Sequence, residues 1–187
     1  MAAITGTIYT ANGGRWYSGS IGSKNGYVAA ASNTSYRTRI NLSITAPSTG
    51  YKISVLSVTM GFLRNGSTNA SSTISGYLYT SDPGTSISGP PSGYVASYTT
   101  SSITTSSSGA SFTLNFNVSA LNWTTAKTLW IWFATGTNAL YEIWTYKSAN
   151  IPAPVYSFTE EPNGLVRIYT SSGWQMAIPY VYSSGWK

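Results

Sequence analysis

This sequence predicts an all-β fold, a jelly-roll-like β-sandwich with a small C-terminal β-hairpin or meander appendage. Three observations carry that expectation. Apolar residues alternate with polar ones at a period of two in segment after segment, the signature of strands with one face buried. Aromatic residues make up 14% of the 187 residues and charged residues only 7%, a balance suited to packed sheets and poor in the Glu, Lys and Arg that stabilise exposed helices. Gly, Pro, Asn, Asp and Ser clusters punctuate the strands at sandwich-like intervals, and no stretch shows the 3.6-residue period of a helix. A chain of this length buries roughly 70% of its unfolded surface as one core.

Taken in order, Ile4 to Trp16 reads as a hairpin with Gly13-Gly14 at its turn, since two successive glycines supply the positive φ angles that tight hairpins need. Gly19 to Gly26 is a loop, and Tyr27-Val28-Ala29 begins a short strand. From Tyr36 to Ile44, Tyr36, Thr38, Ile40, Leu42 and Ile44 share one face while Arg37, Arg39, Asn41 and Ser43 share the other. After the turn at Ala46 to Gly50, Ile53 and Val55 follow one phase and Leu56, Val58, Met60 and Phe62 the opposite one. The slip predicts a β-bulge near Val55-Leu56.

Arg64 to Ser72 is a polar loop, Ile74 to Thr80 a strand, and Ser81-Asp82-Pro83-Gly84 a turn with Pro and Gly at turn positions. Tyr94 to Thr99 is a strand and Ser101 to Gly109 a Ser/Thr surface loop. Phe112, Leu114, Phe116 and Val118 form another one-sided strand. Leu129 to Phe133 is apolar on both faces, which predicts a central strand whose second face is covered or used for binding. Tyr141 to Tyr146 is a strand and a candidate hairpin partner for it. Pro152 and Pro154 stiffen the chain beyond Asn150, so residues 1–150 are expected to form the sandwich, 151–164 a Pro-containing connector and 165–187 an aromatic hairpin motif.

Within that last segment one pattern occurs twice. Ile168-Tyr169 leads through Ser171-Ser172 to Gly173-Trp174, and Val181-Tyr182 leads through Ser183-Ser184 to Gly185-Trp186. Each copy reads as a strand end, a Ser-Gly turn and a Trp on the return strand. The ordered set Gly173, Trp174, Ala177, Pro179, Tyr180, Val181, Tyr182, Gly185, Trp186 and Lys187 resembles a terminal Gly-Trp, Pro-Tyr-Val-Tyr, Gly-Trp-Lys motif of tailed-bacteriophage virion proteins. The resemblance covers the tail alone, and Gln175 stands where the first copy usually has Lys. It implies a virion protein made in the host bacterial cytoplasm, on a tail fibre or baseplate or as a head fibre or decoration. Its partners would be other virion proteins and further copies of itself, a homotrimer by analogy with fibres. Tyr169, Trp174, Tyr180, Tyr182 and Trp186 are then candidates for assembly and docking.

The inventory of reactive groups points away from catalysis. The sequence has no His and no Cys, and its only side-chain carboxylates are Asp82, Glu142, Glu160 and Glu161. A glycosidase needs two carboxylates flanking one bond. Glu160 and Glu161 are adjacent, so on a strand they would face opposite ways, and they read as solvated loop charges. Glu142 and Asp82 would meet only through tertiary folding. The expected protein is not an enzyme and holds no cofactor or metal, since neither imidazole nor thiolate is present and Asp82 lacks the acidic neighbours of a Ca²⁺ loop.

The net charge of +6 reflects few carboxylates rather than a basic run, so no nucleic-acid partner is expected. No stretch is long and apolar enough for a membrane helix, and the N-terminus does not read as a secretion leader. Trp130 and Trp132 share one strand face, and Trp144 and Tyr146 are candidates to join them as a platform for a host-surface glycan. A free bacterial carbohydrate-binding module or adhesin is the competing reading.

Overall fold

The computed structural model describes residues 2–4, 7–12, 15–20, 27–31, 37–64, 70–84, 89–105, 109–135, 140–144, 154–164, 166–170 and 173–177. These form antiparallel β-structure throughout, with a single 3-10 turn at Ser119–Leu121. The strands are β1 (Ala2–Ala3), β2 (Thr7–Asn12), β3 (Arg15–Ser20), β4 (Tyr27–Ala31), β5 (Arg37–Ile44), β6 (Tyr51–Arg64), β7 (Ala70–Ser72) and β8 (Ile74–Tyr79). They continue as β9 (Ala96–Thr99), β10 (Ile103–Thr105), β11 (Ala110–Asn117), β12 (Lys127–Thr135), β13 (Leu140–Trp144), β14 (Val155–Pro162), β15 (Val166–Thr170) and β16 (Gly173–Ala177).

Two six-stranded sheets face each other. In sheet A the long strand β6 pairs along one edge with β11; its other edge is shared by β14, which carries β1, and β13, which carries β4. Sheet B runs β3-β2-β5-β12-β8-β9. The core is what the alternation predicts. Leu56, Val58, Met60, Phe112, Leu114 and Phe116 point inward from sheet A, and Ile40, Leu42, Ile44, Ile74, Leu78, Leu129, Ile131 and Phe133 from sheet B, all buried. Phe112 and Phe133 meet edge to face across the two sheets with ring centroids 6.3 Å apart. The hydroxyl of Tyr156 accepts a hydrogen bond from the backbone amide of Thr45 at 3.2 Å, tying β14 to the end of β5.

The phase slip in β6 is a bulge at Ser54, one residue before the expected position. Val55 pairs with Thr159 and Ile53 with Glu160, so Ser54 is the extra residue. It stays 9% exposed with its groups satisfied, its hydroxyl donating to the Thr159 carbonyl at 3.1 Å and its own carbonyl accepting from the Val118 amide at 2.8 Å. The insertion lets Ile53 and Leu56, three apart, both reach the core.

β14 corrects the expected domain boundary. Residues 155–162, assigned from sequence to a connector, pair with β6 from Val155 to Pro162 inside sheet A, and Tyr156 belongs to the core. Glu160 and Glu161 are therefore strand residues rather than loop charges. Glu160 accepts from the Ser48 amide at 2.8 Å. Glu161 accepts from the Ser119 hydroxyl and lies 3.1 Å from Lys52 Nζ; these two partners, the hydroxyl first, hold its carboxyl below the usual range. The segments read as polar loops around residues 64–72 and 101–109 contribute β7 and β10, which pair as a two-stranded sheet.

The outward face of sheet A is uncharged and hydroxyl-rich where β6 and β11 meet. Thr59 and Thr113 hydroxyls are 2.8 Å apart, and the Ser57 hydroxyl donates to Asn115 Oδ1 at 2.7 Å, so these groups satisfy one another across the strands. Among the described residues, no helix is long and apolar enough to cross a membrane.

Candidate functional site

Strand β12 lies between β5 and β8, with hydrogen-bonded neighbours on both edges, which is the central position its two apolar faces predict. Alternation sends Leu129, Ile131 and Phe133 into the core and leaves Trp130 and Trp132 on the outer face of sheet B. The register sets two rows across that face. Arg39, Trp132, Tyr77 and Ser97 form one; Asn41, Trp130 and Tyr79 form the next.

Two described stretches after β8, residues 80–84 and 89–95, fasten onto this outer face. In the first, Asp82 pairs with the Arg39 guanidinium, which also donates to the Gly84 carbonyl at 2.8 Å. The Gly84 amide donates back to Asp82 Oδ1 at 2.8 Å, a local turn closed by the carboxylate. Gly84 has φ of 79°, a value that glycine alone adopts without strain. Arg39 is thereby only 6% exposed, although it stands on the polar side of its strand, and its guanidinium carbon lies 5.3 Å from the centre of the Trp130 ring.

In the second stretch, the Pro91 carbonyl accepts a hydrogen bond from the Tyr79 hydroxyl at 2.7 Å. Tyr94 packs edge to face on Tyr77 at 5.2 Å and on Tyr79 at 6.3 Å, and Tyr77 in turn packs on Trp132 at 5.8 Å. Burial, with smaller contributions from Tyr77 and Tyr94, pushes the Tyr79 phenol up to about 12.

Stability therefore falls as pH rises through the alkaline range. The unfolded chain releases this proton near the ordinary value of 10.0, whereas the fold retains it to about 12. The folded state binds more protons across that window, so the stability present below it declines as pH rises through it. Comparing urea midpoints of the wild type and Tyr79→Phe across this alkaline range should show the wild type losing more. At neutral pH the variant loses about 1 kcal/mol with the bond to Pro91.

Of the four residues expected to form a sugar platform, Trp144 is not brought beside Trp130 and Trp132. Trp130 and Trp132 do share a face, but Trp132 is 1% exposed and cannot offer a ring to a ligand. Trp130 is partly exposed with Arg39 over its ring. Trp144 sits in β13, opposite Gly61 and Tyr27 in sheet A. The expected hairpin between β12 and β13 cannot form, because both edges of β12 are already occupied by β5 and β8 and the chain crosses to the other sheet. Tyr146 lies outside the described residues. Glu142 is likewise in sheet A, while Asp82 is tied to Arg39 over sheet B. Among the described residues no three or more His, Cys, Asp or Glu side chains gather where they could hold a metal ion.

Of the tail residues, Tyr169 in β15 stands directly opposite Trp174 in β16, and these strands make their own two-stranded sheet. Tyr180, Tyr182 and Trp186 lie outside the described residues. Sequence reasoning missed Tyr94, Arg39 and Asp82 as members of the outer face. The available signal was the Asp-Pro-Gly turn, which reverses the chain directly after a strand carrying Tyr77 and Tyr79.

Comparison with protein-family models, with curated proteins and with solved structures returns no match.

Proposed function

We propose that this chain is a non-enzymatic structural protein of a tailed-bacteriophage virion. It is a jelly-roll-like sandwich fastened to the particle through its terminal hairpin motif, with a sheet face directed at the host surface. The observation that carries the reading is the ordered Gly-Trp, Pro-Tyr-Val-Tyr, Gly-Trp-Lys tail. The pairing of Tyr169 with Trp174 in a sheet of their own supports it, since a docking element needs aromatic-bearing strands that the two large sheets do not use. The absence of His and Cys supports a binding or structural role over a catalytic one.

Its partners are other virion proteins and further copies of the chain, a homotrimer in the simplest fibre-like arrangement. Placement on a tail fibre or baseplate makes it an adsorption module; placement on the head makes it a fibre or decoration. Peptide mass spectrometry of density-purified particles, with antibody labelling to separate head from tail, tests the reading. The chain is expected in the particles at a fixed stoichiometry. Finding it in culture medium before lysis and not in particles would instead favour a free carbohydrate-binding module or adhesin.

A further inference from the structure

We propose that Asn163 is a site of spontaneous covalent modification. Its side-chain amide cyclises with the backbone nitrogen of Gly164 to a succinimide, which water opens to isoaspartate and aspartate. The site falls on the link between β14, which ends at Pro162, and β15, which begins at Val166. Its chemistry does not depend on the assignment of the chain to a virion.

The sequence supplies the reacting pair. Asn163 is followed by Gly164, and glycine has no β-carbon to shield its amide nitrogen from a neighbouring side chain. The fold leaves both groups open. Asn163 and Gly164 are exposed, and a β-carbon built on Gly164 would meet nothing within 4 Å. The Asn163 N–H donates to the Gly50 carbonyl at 2.9 Å, which fixes the residue at the end of β14. Neither its side-chain amide nor the Gly164 N–H has a hydrogen-bond partner among the described residues. Nucleophile and electrophile are therefore adjacent, wet and uncommitted.

Other exposed asparagines are protected where this one is not. Asn115 Oδ1 accepts from the Ser57 hydroxyl, Asn117 Oδ1 from the Ser119 amide and Asn122 Oδ1 from Lys52 Nζ. They precede Phe116, Val118 and Trp123, bulky residues that are buried. The Val118 amide is itself tied to the Ser54 carbonyl at 2.8 Å.

In the reaction, base in the solvent removes the Gly164 amide proton and the nitrogen attacks Asn163 Cγ. The new N–C bond closes the ring, and the side-chain nitrogen takes up a proton and leaves as ammonia. Water then cleaves a ring N–C bond. Cleavage at Cγ gives aspartate; cleavage at the main-chain carbonyl gives isoaspartate, with the chain routed through the side chain. Water is consumed and ammonia released without any change of oxidation state. Either product lowers the net charge of +6 by one. Isoaspartate also adds a methylene to the main chain just before the β15–β16 hairpin.

The test incubates the full chain, and separately a synthetic peptide of residues 155–170, at neutral and mildly alkaline pH. Tryptic mapping with electron-transfer fragmentation locates each conversion and separates isoaspartate from aspartate. Asn163→Gln, whose longer side chain closes its ring far more slowly, and Gly164→Ala are compared, with circular dichroism melts verifying folding. Asn163→Gln keeps the glycine, so it is free of the strain that alanine meets at a φ of 93°. In the folded chain Asn163 is expected to convert mainly to isoaspartate, about tenfold or more ahead of Asn115, Asn117 and Asn122. The rate should rise with pH, fall in Gly164→Ala and vanish in Asn163→Gln, which should melt with the wild type because its amide has no partner to lose. Asn163 still intact in the folded chain once the peptide has converted, earlier conversion of Asn115, Asn117 or Asn122, or a rate indifferent to pH would overturn the site. The virion assignment is read separately, from peptides in purified particles, so either reading can fail without the other.

Discussion

Phe116→Ala is expected to lower the free energy of unfolding by about 3–5 kcal/mol, the range for removing a fully enclosed aromatic ring. Phe116 is 0% exposed on β11, and its ring reaches across the core to lie 3.1 Å from where a β-carbon on Gly76 of β8 would stand. Both sheets therefore line the space that the ring fills. Collapse into that space is opposed by the hydrogen-bonded registers of β6 with β11 and β12 with β8, which hold the two backbones in place. The lost burial and the residual cavity add, and neither strand can move in to relieve them. Guanidinium unfolding followed by tryptophan fluorescence checks the size, and a drop of about 10 °C in melting temperature should accompany it. A change under about 1 kcal/mol, far below the range for an enclosed ring, would mean that the sheets do not pack face to face at this point.

Gly76→Val tests the same contact from the opposite direction. A β-carbon at Gly76 would fall 2.4 Å from Leu114 Cδ1, closer than carbon atoms pack. Leu114 is itself 0% exposed, so its methyl has no solvent to swing into. Valine adds two further methyls to a site with no room for the first. A loss at the upper end of about 1–3 kcal/mol is expected from overpacking, despite valine's better strand propensity. The pairing makes the prediction specific: Leu114→Val removes the obstructing end of the side chain, so Gly76→Ala combined with Leu114→Val should cost less than the sum of the two single changes. Strict additivity in that cycle would deny the close approach of β8 and β11.

The elements were legible where one face is buried and the other wet. The alternation from Ile40 to Ile44 and from Phe112 to Val118 places those strands because each inward residue meets the opposite sheet. The phase slip before Leu56 announces the Ser54 bulge because an extra residue is what brings Ile53 and Leu56 to one side. Leu129 to Phe133 reads as central because it is apolar on both faces. The sequence could not say that residues 80–84 and 89–95 would fasten onto its second face.

Partnership was not legible, since which strand lies beside which is decided by packing across the whole chain. Tyr141 to Trp144 comes after β12 in sequence and invites a hairpin, yet pairs with β6 and β4 in the other sheet. β14 was hidden for a local reason. Tyr156 and Phe158 alternate with Ser157 and Thr159 as a strand should, but prolines on both sides and the adjacent Glu160 and Glu161 give the segment the look of a connector. The same limit applies to the candidate site. Trp130 and Trp132 were visible as a pair, but the burial of Trp132, the clamp of Arg39 on Asp82 and the exposure of Tyr94 arise only from tertiary packing.

The central claim is that a self-sufficient sandwich is fastened to a particle by its terminal hairpin motif, and truncation after residue 164 tests it most directly. Among the described residues every pairing of the two six-stranded sheets lies within residues 2–162, so the shortened chain should fold and melt within a few degrees of the full one. When co-expressed during infection, it should be absent from purified particles that incorporate the full chain. A shortened chain that fails to fold would return the tail to the core. One that enters particles as well as the full chain would remove the hairpin motif from assembly altogether.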